Sequence, residues 1–218
     1  YYLKAIHKEA LLTLLDDSEV AEQVYNSNAI ENSTLTLEET EKILLQIDLD
    51  RFITERESFE AKNLARVVAY SRNKAHEAPI SLDIMRLLHR MLISNIRDDI
   101  AGRFRQDNEY VRVANHIAAS PKNILQELTQ MLITYNSTPH LAITKRIAAL
   151  HLHFEHVHPF VDGNGRIGRV LNNYLLIREG YVPINIKFID RKKYYDAFQD
   201  YDQNKKTSLM EDIVEKAL

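Results

Sequence analysis

Apolar residues recur at intervals of three and four along nearly all of the 218-residue chain, and this period constrains the fold most strongly. Leu3, Ile6, Ala10, Leu11 and Leu14 form one such face. Thr36-Leu37-Glu38-Glu39 reads as a capping box ahead of Ile43, Leu44 and Ile47. A long helix is expected from Arg56 to His76, with Phe59, Leu64, Val67 and Val68 inside. Ser81 caps the next, which carries Ile84, Leu87, Leu88, Met91 and Leu92. Pro121 and Pro139 each suit a first helical position, the second opening a helix that runs towards His156. A helix after Gly165 ends at Gly180, where glycine suits the left-handed cap. Asp190 is expected to cap another helix, with Tyr194, Tyr195 and Phe198. Thr207 or Ser208 begins a last one, cut short by the chain end. The expected fold class is all-α.

One segment breaks the period. In Gly102–His116, Val111 and Val113 alternate with Arg112 behind a polar Gln106-Asp107-Asn108 tip, which predicts a short β-hairpin. No repeat, low-complexity tract or clear linker divides the chain. One domain with a hairpin insert is the economical reading, with short N-terminal helices as an appended lobe the alternative.

Composition narrows the function. A net charge of −3 gives no global basic field for nucleic acid or membrane, and no basic recognition helix is evident. Cysteine is absent, which excludes disulfides and Cys-based zinc sites. With no apolar run of membrane-spanning length and no signal-peptide pattern, a cytoplasmic protein is expected. The chain opens on Tyr1-Tyr2, as a trimmed fragment would.

Only five glycines occur, and Gly163, Gly165 and Gly168 cluster within 151-HLHFEHVHPFVDGNGRIGR-169. Glycines flanking Asn164 at the start of a helix let consecutive N–H groups converge, and the helix N-terminus adds partial positive charge. That makes an anion site. Arg166 and Arg169 lie three apart on the first turn, so two guanidinium groups flank it and a polyphosphate is implied. Asp162 supplies a hard carboxylate suited to Mg2+. The plainer alternative is a glycine-capped turn with arginines in surface ion pairs. His158 is placed to be the base for a hydroxyl attacking phosphorus, held by Pro159. A metal cluster of His151, His153, His156 and His158 is disfavoured, because residues two apart on a helix point about 200° apart.

HPFVDGNGRIGR, residues 158–169, resembles the Fic-family motif HPFx(D/E)GNGRxxR without departure. The resemblance implies a Fic-like helical bundle with a hairpin flap. It implies a core over 56–204, N-terminal helices over 1–55 and a C-terminal helix over 205–218. It further implies transfer of AMP from ATP to a protein hydroxyl, including the protein's own, with release of pyrophosphate. His158 would be the base and Asp162 the Mg2+ ligand. Gly163, Asn164 and Gly165 would cradle the α- and β-phosphates, with Arg166 on the β- and Arg169 on the γ-phosphate. Phe160 would anchor the core. Related Doc kinases carry lysine in place of Gly165, so glycine favours AMP transfer; phosphocholine-transferring relatives share the motif.

The segment 102–116 resembles the flap that pairs with a target protein by strand addition, with Val111 over the nucleotide. Its end, Ala114-Asn115-His116, departs from the glycine-rich end of relatives. Tyr195, in the pair Tyr194-Tyr195, and Asn204 are the implied nucleoside contacts. Finally, 27-SNAIEN-32 matches the family's inhibitory pattern (S/T)xxxE(G/N). Ser27 reads as the N-cap of a short helix, and Glu31 one turn later would pair with Arg169 in place of the γ-phosphate. An autoinhibited adenylyltransferase is therefore expected, with dimers among its relatives. Removal of AMP, a nucleotide-sensing module and a DNA-binding regulator are the alternatives.

Overall fold

The computed structural model describes residues 17–113 and 116–218. The expected face Leu3–Leu14 lies outside them. A helix (α1) occupies 17–30, followed by α2 (Leu37–Leu44), α3 (Glu55–Glu77) and α4 (Leu82–Ile93). Two short strands, β1 (Arg112–Val113) and β2 (His116–Ile117), form an antiparallel pair. Then come α5 (Ile124–Ser137), α6 (Ile143–Val157), α7 (Asn164–Arg178), α8 (Arg191–Asn204) and α9 (Ser208–Ala217). The all-α expectation holds.

Local chemistry sets most boundaries. Thr36 and Glu39 form the expected capping box at α2, and Thr54 and Glu57 form another at α3. The Ser81 hydroxyl accepts from Ile84 N–H at the start of α4. Pro121 opens a 3-10 turn that leads into α5. Gly180 takes φ +83° after α7, where its N–H donates to Ile177 and that of Tyr181 to Leu176. This is the Schellman arrangement, and it requires the left-handed residue.

Three expectations are corrected. Pro139 sits in a turn and α6 starts only at Ile143, because Thr138 is the C-cap of α5. Asp190 precedes α8 but caps nothing; its carboxylate pairs with Lys216 at 2.9 Å. The hairpin is shorter than Gly102–His116: pairing joins Arg112 to Ile117 and Val113 to His116, and the segment before it is turns held by Arg105.

α7 is the central helix, buried on nearly every side between α3, α6 and α4. α6 packs against α7, α5, α8 and α9. One apolar core runs from Val24 on α1 through Leu64, Leu88, Phe154 and Leu171 to Val214 on α9. Burial of that length of apolar surface fixes the α6–α7 junction, where the site lies.

Candidate active site

The α6–α7 junction is built around one strained residue. His158 ends α6 in the left-handed conformation, φ 49° and ψ 62°, which is unfavourable for a residue with a Cβ. Its carbonyl oxygen accepts from Arg105 Nε at 2.7 Å. Arg105 is buried and also donates to the carbonyls of Glu109, Ala119 and Val157. One guanidinium thus ties the hairpin segment to the end of α6.

The loop after His158 is locked from both sides. Phe160 is fully buried and stacks on His89, with ring centroids 3.8 Å apart. His89 Nδ1 accepts from the Gly102 N–H, so Nε2 carries the proton and donates to the Asp162 carbonyl at 3.0 Å. Burial pushes the His89 pKa down to about 4, which keeps that neutral form. The Asn164 side chain donates to the Phe160 carbonyl and accepts from its N–H, both at 2.9 Å. Asn164 therefore holds the loop with its amide, leaving its backbone N–H at the start of α7. Gly163 takes φ +80° as the N-cap.

The charged residues divide into two groups. Asp162 Oδ1 accepts from the Gly163 N–H at 2.6 Å and from Arg166 Nη2 at 3.3 Å. Asp162 Oδ2 lies 3.6 Å from Arg56, and Arg166 also faces Glu60 at 3.5 Å. Arg169 has a separate set of partners. Its Nε donates to Ser27 Oγ at 2.9 Å, Nη1 to Tyr194 OH at 3.0 Å, and Nη2 to Ser27 O at 2.8 Å and Glu31 Oε1 at 2.9 Å. The Glu31–Arg169 pair read from the sequence is present. Ser27 is not an N-cap, however: it lies in the last turn of α1, and Glu31 follows in the turn beyond. The orphan carbonyl of a helix C-terminus, carrying partial negative charge, is what Ser27 offers the guanidinium.

Glu31, Glu155, His158, Gly165, Tyr195 and the hairpin residue Val113 line one cavity of about 710 Å³, within the range of small-molecule sites. A Cβ on Gly165 would collide with the Glu31 carboxylate, so the glycine admits the close approach. Burial, with Arg105 adding to it, lowers the His158 pKa to about 4, so the imidazole is neutral at pH 7 and can accept a proton. Its Nδ1 lies 3.7 Å from Glu155 Oε2. Burial raises the Glu155 pKa to about 8, and the nearby Glu31 charge adds to it. Glu155 is therefore protonated at neutral pH.

Two residues expected at the nucleotide stand outside the cavity lining. Val111 lies outside the cavity lining, where Val113 and Ile117 stand instead; its carbonyl accepts from Ala118 N–H. Asn204 is exposed, bonded to Asp200 at 2.7 Å, and does not line the cavity. Tyr195 does, and its hydroxyl donates to the Ile30 carbonyl. Ala114 and Asn115 lie outside the described residues. The α6 histidines do not converge on one another: His151 meets Tyr194, His153 meets Glu127 and His156 meets Asp202. Glu155, Arg105 and His89 were not legible as site residues; Arg105 and His89 act through partners distant in sequence. The proximity of Glu155 to His158, three residues apart on a helix, was the one local signal.

The Fic/DOC family profile matches residues 79–176, which contain this junction. A curated protein adenylyltransferase Fic from Drosophila erecta is 31% identical over 200 residues, covering 88% of this chain and 39% of that protein. The chain thus spans about two fifths of the length of the curated relatives it matches. A Fic-domain-containing signaling protein from Bacteroides thetaiotaomicron superposes with a TM-score of 0.81 at 26% identity, covering 94% of this chain and 83% of that one. Fic-1 from C. elegans shares the fold, with a TM-score of 0.79 at 24% identity over 99% of this chain and 70% of that one.

Proposed function

Because the chain belongs to the Fic/DOC family, we propose that it is an autoinhibited protein adenylyltransferase. It transfers AMP from ATP to a serine, threonine or tyrosine hydroxyl of a protein, its own chain included. The observation that carries this reading is one cavity lined by a neutral His158, by Gly165 at the start of α7 and by Glu31, whose carboxylate occupies Arg169. The hydroxyl oxygen forms a bond to the α-phosphorus as the bond to the bridging oxygen of pyrophosphate breaks. His158 takes the hydroxyl proton, and pyrophosphate leaves with the electron pair. The N–H groups at Gly163–Gly165 and the guanidinium groups of Arg166 and Arg169 hold the phosphates.

The residues fit Mg2+. Asp162 is a partly exposed carboxylate beside the anion site, and its Oδ2 has only the 3.6 Å contact with Arg56 among the described residues. One carboxylate plus substrate phosphates is how such sites hold the ion. When bound, Mg2+ supplies charge neutralisation at the phosphates. The target segment would add to the edge of the hairpin, whose strand β1 is exposed. Autoinhibition follows from Glu31, which stands where the γ-phosphate needs Arg169.

ATP labelled at the α-phosphate tests the reaction. Label should enter protein in a His158-dependent manner, and γ-labelled ATP should leave none. Transfer of the γ-label, or no transfer by a Glu31→Gly variant that binds ATP, would overturn the reading.

A further inference from the structure

A second group of ligating side chains lines the same cavity beside the hairpin. His116 stands on β2, His156 in the last turn of α6 and Asp202 in the last turn of α8. One donor atom from each lies within 4.8 Å of the others. Asp202 Oδ1 is 2.7 Å from His156 Nδ1 and 3.5 Å from His116 Nδ1. The two imidazole rings sit 4.1 Å apart, tilted by 30°.

The tautomers are informative. His116 Nε2 is 2.8 Å from the His156 carbonyl oxygen. A carbonyl only accepts, so Nε2 carries the proton. In the neutral ring Nδ1 then presents a lone pair to the Asp202 carboxylate, acceptor facing acceptor. Only a proton or a metal cation between them removes that repulsion. The Nε2–H bond to a carbonyl is also the outer-shell contact that orients metal-bound histidine.

We propose that His116, His156 and Asp202 bind one divalent metal of the zinc class and so tie the hairpin to α6 and α8. Two imidazoles and one carboxylate form an N2O set that favours zinc over the oxygen-seeking Mg2+. Three protein ligands leave a fourth position open to the cavity. Ligands at about 2.0–2.1 Å in a tetrahedron stand about 3.3 Å apart. The His156–Asp202 spacing must therefore open by about half an ångström, a side-chain adjustment at partly exposed groups. The proposal does not depend on the nucleotide chemistry of the cavity.

Metal-stripped protein titrated with Zn2+ against a chromophoric chelator tests it. One Zn2+ should bind per chain. His116→Ala and Asp202→Asn should each weaken binding by about tenfold or more, while His153→Ala should not. Zn2+ should also slow amide exchange at residues 112–117 in the wild type but not in Asp202→Asn. Circular dichroism checks that each variant folds, and the isosteric Asp202→Asn carries the test if His116→Ala does not. Absence of stoichiometric binding, or equal affinity after Asp202→Asn, overturns the site.

Discussion

Replacing Glu31 by glycine isolates the contact on which the proposed autoinhibition rests. The carboxylate accepts one charge-assisted hydrogen bond from Arg169 Nη2 at 2.9 Å, and its side chain is one-third exposed. Such a bond contributes about 1.5–3 kcal/mol, and fuller burial of the pair would raise the figure towards about 3–5 kcal/mol. With partial exposure, a displacement cost of about 2–4 kcal/mol applies. Each 1.36 kcal/mol is tenfold in rate, so Glu31→Gly should accelerate AMP incorporation about 30- to 1000-fold. Arg169 keeps Ser27 and Tyr194 as partners, so the variant should fold, with its melting temperature lowered by a few degrees. Glu31→Gln, which keeps an acceptor but no charge, should fall between the two. The assay is the initial rate of α-phosphate incorporation with ATP and Mg2+, alongside calorimetric ATP binding. An unchanged rate in a variant that binds ATP as tightly as the wild type would refute the displacement argument.

Three further outcomes are expected. His158→Ala should abolish the AMP adduct seen by intact mass spectrometry while leaving ATP binding within about threefold, since the proposed base would act on the incoming hydroxyl. Gly165→Ala should destabilise the wild type by about 1–3 kcal/mol, because its Cβ meets the Glu31 carboxylate, yet cost much less in the Glu31→Gly background; thermal denaturation of the four proteins measures the coupling. Glu155 binds its proton more tightly when folded, with a pKa of about 8 against about 4.5 unfolded, so stability is full below pH 4.5 and falls as pH rises towards 8. Glu155→Gln should flatten that part of the stability–pH curve measured by denaturant unfolding.

Where the determinant is local, the sequence was readable. The capping box at Thr36, the hydroxyl of Ser81, the proline at 121 and the glycine at 180 each act within about four residues. The spacing of His158, Asp162, Gly163, Arg166 and Arg169 is equally local, being one helix end, one loop and one helix start. Errors arose where tertiary partners override local preference. Asp190 could cap α8, but Lys216 takes its carboxylate. Ser27 could start a helix, but α1 ends there instead. Arg105, His89 and Asp202 carry no local signal at all. Their partners lie 53, 73 and 46 residues away, so a folded chain is needed to see them.

The arrangement around Arg169 separates folding from the proposed inhibition. A buried guanidinium without acceptors would be costly, and this one is 7% exposed. Its Nε and one Nη2 hydrogen are met by the hydroxyl and carbonyl of Ser27, and Nη1 by Tyr194. The carbonyl belongs to a helix C-terminus, whose partial negative charge partly balances the cation without any carboxylate. Glu31 meets the remaining side, next to Gly165 and the start of α7. An anion entering there has to displace one carboxylate and nothing that holds Arg169 in place. A phosphate carries at least as much negative charge and more acceptor oxygens than a carboxylate, so displacement is limited by where Glu31 can go. Its turn is held to α1 by Glu31 and Asn32 N–H donating to the carbonyls of Asn28 and Ala29, and Asn32 takes φ 70°. The strength of the brake should therefore depend on this turn as much as on the ion pair.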